Sequence, residues 1–319
     1  MGDVRQRLTS LSSRSALRYA AVVAMVVTVT LGVPPEPTLL WNALFDVGHV
    51  VVFAAITVIL LDLVERRQAA PNPRAVVGWT VAVTLALAAG TELLQSLEPN
   101  HDADVLDLVR DAAGMTLALL LRPAGPSPHI GTVRRLTAAL IAVAVLAPFL
   151  AVAGLSVQRQ RAFPVVIPMH GSWWERRLQS FRDAEVVPGG CEASGSAGTE
   201  PLVRLLFQPA RYPGFYFKEP YPDWRGFQRL VFRAGTDAGQ SITLLLRIDD
   251  ARQDEQHGDR FIVRLVLTPG DHRLEIPLDT VRSAPQGREM DLARIRGIGV
   301  YAHQIRRPQH VCLSEFHLE

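Results

Sequence analysis

Residues 91–114, TELLQSLEPNHDADVLDLVRDAAG, place Glu92, Gln95, His101, Asp104, Asp107, Arg110 and Asp111 between two apolar runs. Asp46 and His49 stand at the start of an earlier apolar run. An imidazole and a carboxylate within reach of one another can pass protons, which makes His49 and Glu92 the acid/base candidates. The aspartates can support that pair, line a binding pocket or form a cation site. Spacing favours shared faces. Glu92 and Gln95 are one helical turn apart. Asp104, Asp107, Asp111 and Gly114 fall on one helical stripe. Gly114 continues that stripe without a side chain, so a neighbouring helix can approach closely there.

The elements that must position these groups read as membrane helices. About 20 apolar residues cover a bilayer core. Five stretches qualify as candidates: 17–33, 47–64, 76–94, 105–121 (weakened by its charges) and 136–157, with Pro148 expected to kink the last. The first has a basic flank, Arg5, Arg7, Arg14 and Arg18, but no small-x-small cleavage site. It reads as a retained anchor rather than a cleaved signal. Arginines cluster at the N-terminus, at Arg66, Arg67 and Arg74, and at Arg122, Arg134 and Arg135. The loops at 34–45 and 96–104 carry no Lys or Arg. That asymmetry predicts a cytoplasmic N-terminus and puts residues 158–319 outside the cytoplasm. Asp46, His49, Glu92, Gln95, Asp104, Asp107, Arg110 and Asp111 then all come to the outer side. A charge at mid-membrane costs roughly 2.5–3.5 kcal/mol, so these groups must pair, neutralise or face a wet cavity. The opening stretch is therefore expected to be a helical hairpin whose polar groups face other helices and not lipid.

The second half changes character. ITLLLRID (242–249) and RFIVRLVL (260–267) alternate apolar and mixed residues with period two. PLVRLLF, FQRLVFRA, HRLEIPL, IGVYAH and VCLSEFHLE are further strand candidates, separated by Pro, Gly and Asp. This pattern predicts an all-β sandwich of jelly-roll type. Trp173, Trp174, Tyr212, Tyr216, Tyr221 and Trp224 are candidates for stacking on sugar rings, or for core packing. The acidic run DDARQDEQHGDR (249–260) could hold Ca²⁺ but lacks EF-hand spacing, and a solvated hairpin loop is the better reading.

Across its 319 residues the chain is 48% apolar, with a net charge of +2, too small to point to a nucleic-acid partner. Lys218 is the only lysine. No Gly-x-Ser-x-Gly, His-Glu-x-x-His or P-loop is present, so no conventional hydrolase, metal or nucleotide site is read, and no cofactor is expected. The only two cysteines, Cys191 and Cys312, both fall in the second half. In an oxidising compartment they are expected to form one disulfide that ties the ends of the β-domain together.

Two resemblances add to this reading. E-x-x-Q at Glu92 and Gln95, then Pro99, His101, Asp107, Asp111 and Gly114, with Asp46 and His49 upstream, is similar to the VanZ-like membrane family over about residues 20–125. The chain differs in carrying His101 where that family usually has Arg and Asp111 where it usually has Asn. The resemblance implies a membrane module and a site, not a reaction. The second half resembles a galactose-binding-like jelly roll, the architecture of many carbohydrate-binding modules.

The combined expectation is a helical bundle of five transmembrane helices over residues 1–157, followed by an extracytoplasmic β-sandwich over 158–319. The chain would be a multi-pass protein of the bacterial cytoplasmic membrane. Its outward-facing intramembrane pocket would bind an envelope lipid or glycan precursor, with the β-domain as a glycan or partner adaptor. The alternatives are an intramembrane enzyme acting on a lipid-linked envelope substrate and a structural envelope scaffold.

Overall fold

The computed structural model describes residues 16–28, 32, 38–67, 72–97, 104–122, 128–169, 179–188, 191, 202–236, 241–254, 256 and 258–319. His101, Pro99, Trp173 and Trp174 lie outside the described residues. The chain divides into two compact units, residues 1–154 and 155–319.

The first unit is helical: α1 (Ala16–Thr28), α2 (Leu39–Arg67), α3 (Pro73–Gln95), α4 (Val105–Leu121) and α5 (Pro128–Ala162), the last running across the division. Local chemistry sets the helix ends. The Asn72 side chain accepts from the Arg74 N–H and Pro73 follows at the first helical position, where its missing N–H costs nothing. The Asp104 side chain accepts from the Leu106 N–H and starts α4. Arg134 of α5 donates to the Leu119 and Arg122 carbonyls, closing the C-terminal end of α4. Pro148 sits within α5.

Three of these helices, α2, α3 and α5, are long and apolar enough to cross a membrane, not five. As described, α1 falls short of the roughly 20 residues a span needs. At 17 residues α4 reaches only about 25 Å, and it carries Asp107, Arg110 and Asp111.

The packing of α3 and α4 is inside-out relative to a water-soluble bundle. α3 buries Val76, Thr80, Thr84, Ala88, Thr91 and Gln95, a stripe of small and polar residues three or four apart, while Trp79 and Leu93 are each 66% exposed. α4 buries Asp111, Gly114, Met115 and Ala118 and exposes Val105, Leu106 and Val109. The buried hydroxyls of Thr57 and Thr80 donate to the carbonyls four residues back, and that of Thr91 to one three back.

The second unit is an antiparallel β-sandwich. One sheet contains β1 (Val165–Ile167), β12 (Phe316–Leu318), β6 (Arg229–Thr236), β11 (Gln309–Leu313), β4 (Val203–Phe207) and β3 (Ala184–Val186), with β9 (Gly270–Pro277) along the other edge of β6. The other runs β2 (Gln179–Arg182), β5 (Gly214–Lys218), β10 (Ile295–Ala302), β7 (Ile242–Asp250), β8 (Phe261–Leu267). Alternation explains the core. Leu244, Leu246 and Ile248 of β7, Phe215 and Phe217 of β5, and Ile298 and Val300 of β10 point inward. They meet Leu205 and Phe207 of β4 and Leu230 and Phe232 of β6. A short helix, α6 (Leu278–Arg282), adds Leu278 and Val281.

Cys191 and Cys312 are bridged, with Cα atoms 6.0 Å apart and a sequence separation of 121. Cys312 belongs to β11, between β4 and β6, and not to the closing strand. The bridge therefore fastens Cys191 to the middle of a sheet rather than joining first strand to last.

Candidate functional sites

The helical unit gathers its ionisable groups where α2, α3 and α4 meet. His49 Nδ1 lies 2.9 Å from Asp111 Oδ1, and His49 Nε2 lies 3.9 Å from Asp107 Oδ2. Arg110 pairs with Asp107, donates to Asp46 at 3.0 Å and lies 3.6 Å from Asp104. Glu92 accepts from the backbone N–H of Asp104 at 3.2 Å. Gln95 is buried on the inner face of α3. One ligand-capable atom each from His49, Glu92 and Asp111 lies within 4.8 Å of the others. The side chain of Asp111 is fully buried, that of His49 10% exposed, and those of Asp46 and Asp104 nearly half exposed. The cluster thus has a solvated rim and a closed interior. Gly114 makes this geometry possible: a Cβ there would run into the Val50 carbonyl, so α4 touches the backbone of α2 one turn below Asp111.

The sandwich carries a second candidate, on the face of the five-stranded sheet turned away from its core. The register sets Tyr216, Gly299 and Arg247 in one row, and Lys218, Gly297 and Asp249 in the next. Tyr301 stands on the same face, opposite Gly214 and Leu245. The glycines are required by the rings. A Cβ at Gly297 would overlap the Tyr216 hydroxyl, and one at Gly299 would enter the Tyr301 ring. Both rings therefore lie down along the sheet instead of standing up from it. The Tyr216 hydroxyl donates to Asp249 at 3.0 Å, and Arg247 Nε lies 2.9 and 2.7 Å from the two Asp249 oxygens. The Arg247 guanidinium also approaches the Tyr216 ring, 5.6 Å from its centroid. Burial, reinforced by the Asp249 charge, pushes the Tyr216 hydroxyl well above its ordinary value, so it stays a neutral donor. Arg182, Lys218 and Arg264 add exposed cations on this face.

Other aromatic candidates serve the fold. Trp224 is fully buried and its indole N–H donates to the Tyr221 carbonyl, so it cannot stack on a ligand. Tyr221 packs on Phe163, with centroids 4.1 Å apart. Tyr212 is 39% exposed and packs beside His303 and Arg211. The acidic run between β7 and β8 is a hairpin connection, and its Asp249, Asp250 and Asp259 carboxylates are already engaged. Asp250 accepts both terminal nitrogens of Arg288, at 2.6 and 2.8 Å, and Asp259 accepts its Nε. That leaves them no role as free Ca²⁺ ligands. Tyr301 and Arg247 escaped the sequence reading as site residues, and Asp249 entered it only as part of the acidic run. The signal was there in G-x-G-x-Y at 297–301, where glycines alternate with core residues and clear one face of a strand.

The fold and its two candidate sites define a class: a helical unit with membrane-length helices joined to an antiparallel β-sandwich with an aromatic outer face. The chain matches no known protein family, so the VanZ-like resemblance has no such match behind it. No curated protein matches it. Among solved structures, it is similar to the family 11 carbohydrate-binding module from Clostridium thermocellum in complex with a β-1,3-1,4-mixed-linked tetrasaccharide, at 12% identity over 47% of this chain and 91% of that one, with a TM-score of 0.34. It is also similar to the family 30 module of the cellulosomal cellulase Cel9D-Cel44B of the same organism, at 14% identity over 44% and 91%, with a TM-score of 0.31. A third is TmCBM61 in complex with β-1,4-galactotriose, at 16% identity over 44% and 86%, with a TM-score of 0.29. At that level of similarity, assignment of a ligand rests on this chain's own residues.

Proposed function

We propose that the protein is a glycan-binding protein of the bacterial cell envelope, anchored in the cytoplasmic membrane by its helical unit, with the β-sandwich displayed outside the cytoplasm. The observation that carries this is the pair of tyrosines laid flat over Gly297 and Gly299, beside the Arg247–Asp249 pair. A flat phenol ring offers a surface for the C–H face of a pyranose, and the part-exposed Arg247 guanidinium, held by the buried Asp249, can hydrogen-bond its hydroxyls. Arg182, Lys218 and Arg264 outnumber the carboxylates on this face among the described residues, which favours an acidic glycan over a neutral one.

The membrane assignment is supported by the inverted packing of α3 and α4, with polar and small residues inside and large apolar residues outside. The extracytoplasmic assignment is supported by the Cys191–Cys312 bridge and by the arginine asymmetry of the loops. The test is affinity electrophoresis of the full chain in detergent against polygalacturonate and a neutral mixed-linkage glucan. Retardation by the acidic polymer, lost in Tyr216→Ala and Tyr301→Ala, is expected. Equal retardation of wild type and both variants would refute the reading.

The His49 cluster supports a second role, in keeping with the VanZ-like resemblance: a pocket for an envelope lipid or glycan precursor. An enzymatic version of that role is favoured by one contact. Asp111 holds the His49 ring from one side, which fixes the tautomer of a general base. Glu92→Gln, which keeps shape but removes a base, separates an enzyme from a binder when the envelope lipids of the two strains are compared. A binder retains the wild-type lipid profile.

A further inference from the structure

Among the described residues, the charges in the helical cluster do not balance. Asp46, Glu92, Asp104, Asp107 and Asp111 surround one guanidinium, Arg110, and one imidazole, His49. Arg110 serves the rim, contacting Asp46, Asp104 and Asp107. The interior is left to His49. Asp111 is 1% exposed; its Oδ1 meets His49, and its Oδ2 is buried with no hydrogen-bond partner among the described residues. Glu92 is in the same position: Oε2 accepts from Asp104, while Oε1 is buried and has no such partner. Buried carboxylate oxygens without a donor are costly, and more so in a low-dielectric setting.

We propose that Asp111, Glu92 and His49 form a site for a divalent cation. One atom from each already lies within 4.8 Å of the others. Tetrahedral ligands about 2.0–2.2 Å from a common ion are about 3.3–3.6 Å apart, so side-chain movement of about an ångström closes the site. A ring nitrogen with two carboxylates suits borderline ions such as Zn²⁺ and Mn²⁺ better than Mg²⁺ or Ca²⁺, which prefer oxygen alone. The remaining carboxylates form an outer shell, with Asp107 3.9 Å from the His49 ring. The cation also reconciles this pocket with an anionic ligand. Five carboxylates repel a lipid-linked phosphate, and a bound divalent ion would attract one. This site rests on the helical cluster alone and is independent of glycan binding by the sandwich.

The test uses the full chain in detergent, stripped with chelator, dialysed against Zn²⁺ or Mn²⁺ and passed through a desalting column before metal analysis. About one ion per chain is expected. Asp111→Asn and Glu92→Gln should each bind at least about tenfold more weakly, and Asp62→Asn, on α2 away from the cluster, should bind like wild type. Co²⁺ substitution should give a visible ligand-field spectrum that Glu92→Gln alters. Should Asp111→Asn fail to fold, the rise in melting temperature on adding Zn²⁺ to wild type, and its loss in Glu92→Gln, reads the same site. A wild-type chain that retains no metal overturns the proposal. So does metal content unchanged in a folded Glu92→Gln protein. Neither outcome affects the retardation by polygalacturonate.

Discussion

His49 Nδ1 and Asp111 Oδ1 lie 2.9 Å apart, 62 residues apart in sequence, one on α2 and the other on α4. Asp111 has no exposed side-chain surface and His49 has little. Truncating one member of such a buried pair leaves the other stranded, at a cost of about 3–5 kcal/mol. His49→Ala should therefore melt well below wild type in detergent. The double replacement His49→Leu with Asp111→Leu should recover much of the loss, because neither member of the pair is then left buried without the other. A double change as damaging as the sum of the single ones would show that the pair is not coupled.

Gly114 and Gly90 predict opposite outcomes for the same substitution. A Cβ at Gly114 meets the backbone of Val50 and Ala54, whereas at Gly90 nothing lies within 4 Å. Gly114→Ala must push α2 and α4 apart and should cost about 1–3 kcal/mol. Gly90→Ala should be neutral or stabilise by up to about 1 kcal/mol, through helix propensity alone. Thermal unfolding of the two variants side by side checks this.

The disulfide closes a long loop. With Cys191 and Cys312 separated by 121 positions in sequence, chain entropy predicts about 4–5 kcal/mol, less any native strain. Cys312→Ala, or reduction of the full chain, should lower the denaturant midpoint of the sandwich transition while leaving that of the helical unit in place. Thiol labelling of the unreduced, denatured protein should find no free cysteine.

Acid should loosen the sandwich through its surface carboxylates. Hydrogen bonds from Arg229 and then Arg273 hold Glu275 below its ordinary value of 4.5. Hydrogen bonding to Arg288 lowers Asp259 in the same way. A carboxylate with a depressed folded value binds fewer protons folded than unfolded just below its ordinary value. Its contribution is thus complete above that value and is lost as pH falls through the lowered one. Sandwich stability should decline below about pH 4.5, and Glu275→Gln should make that decline shallower. An acid limb unchanged by Glu275→Gln would exclude this residue as a source.

Gly299→Val tests the aromatic face without touching a ring. Its side chain would occupy the space that the Tyr301 ring now fills. Retardation by polygalacturonate should fall as it does in Tyr301→Ala, while the core residues Ile298 and Val300 on either side keep the strand in the sheet.

Much of this was readable along the chain, because local periodicity records which side of an element is buried. The period-two runs at 242–249 and 260–267 became β7 and β8, and two cysteines in the second half became one bridge. The stripe of Asp104, Asp107, Asp111 and Gly114 follows from helical geometry alone. Other features were decided only in three dimensions. The number of membrane-length helices depends on where α1 and α4 end, which caps and loops set and apolar content does not. Asp111 and Asp107 look equivalent on the stripe. The i, i+3 spacing already pairs Asp107 with Arg110 within α4, whereas only helix packing gives Asp111 to His49, 62 residues away on α2. Trp224 took the core-packing alternative and Tyr301, given no role from sequence, joined the outer face for a related reason. Burial of an aromatic depends on which sheet face its strand turns inward and on whether a facing glycine leaves room, and cross-strand register settles both.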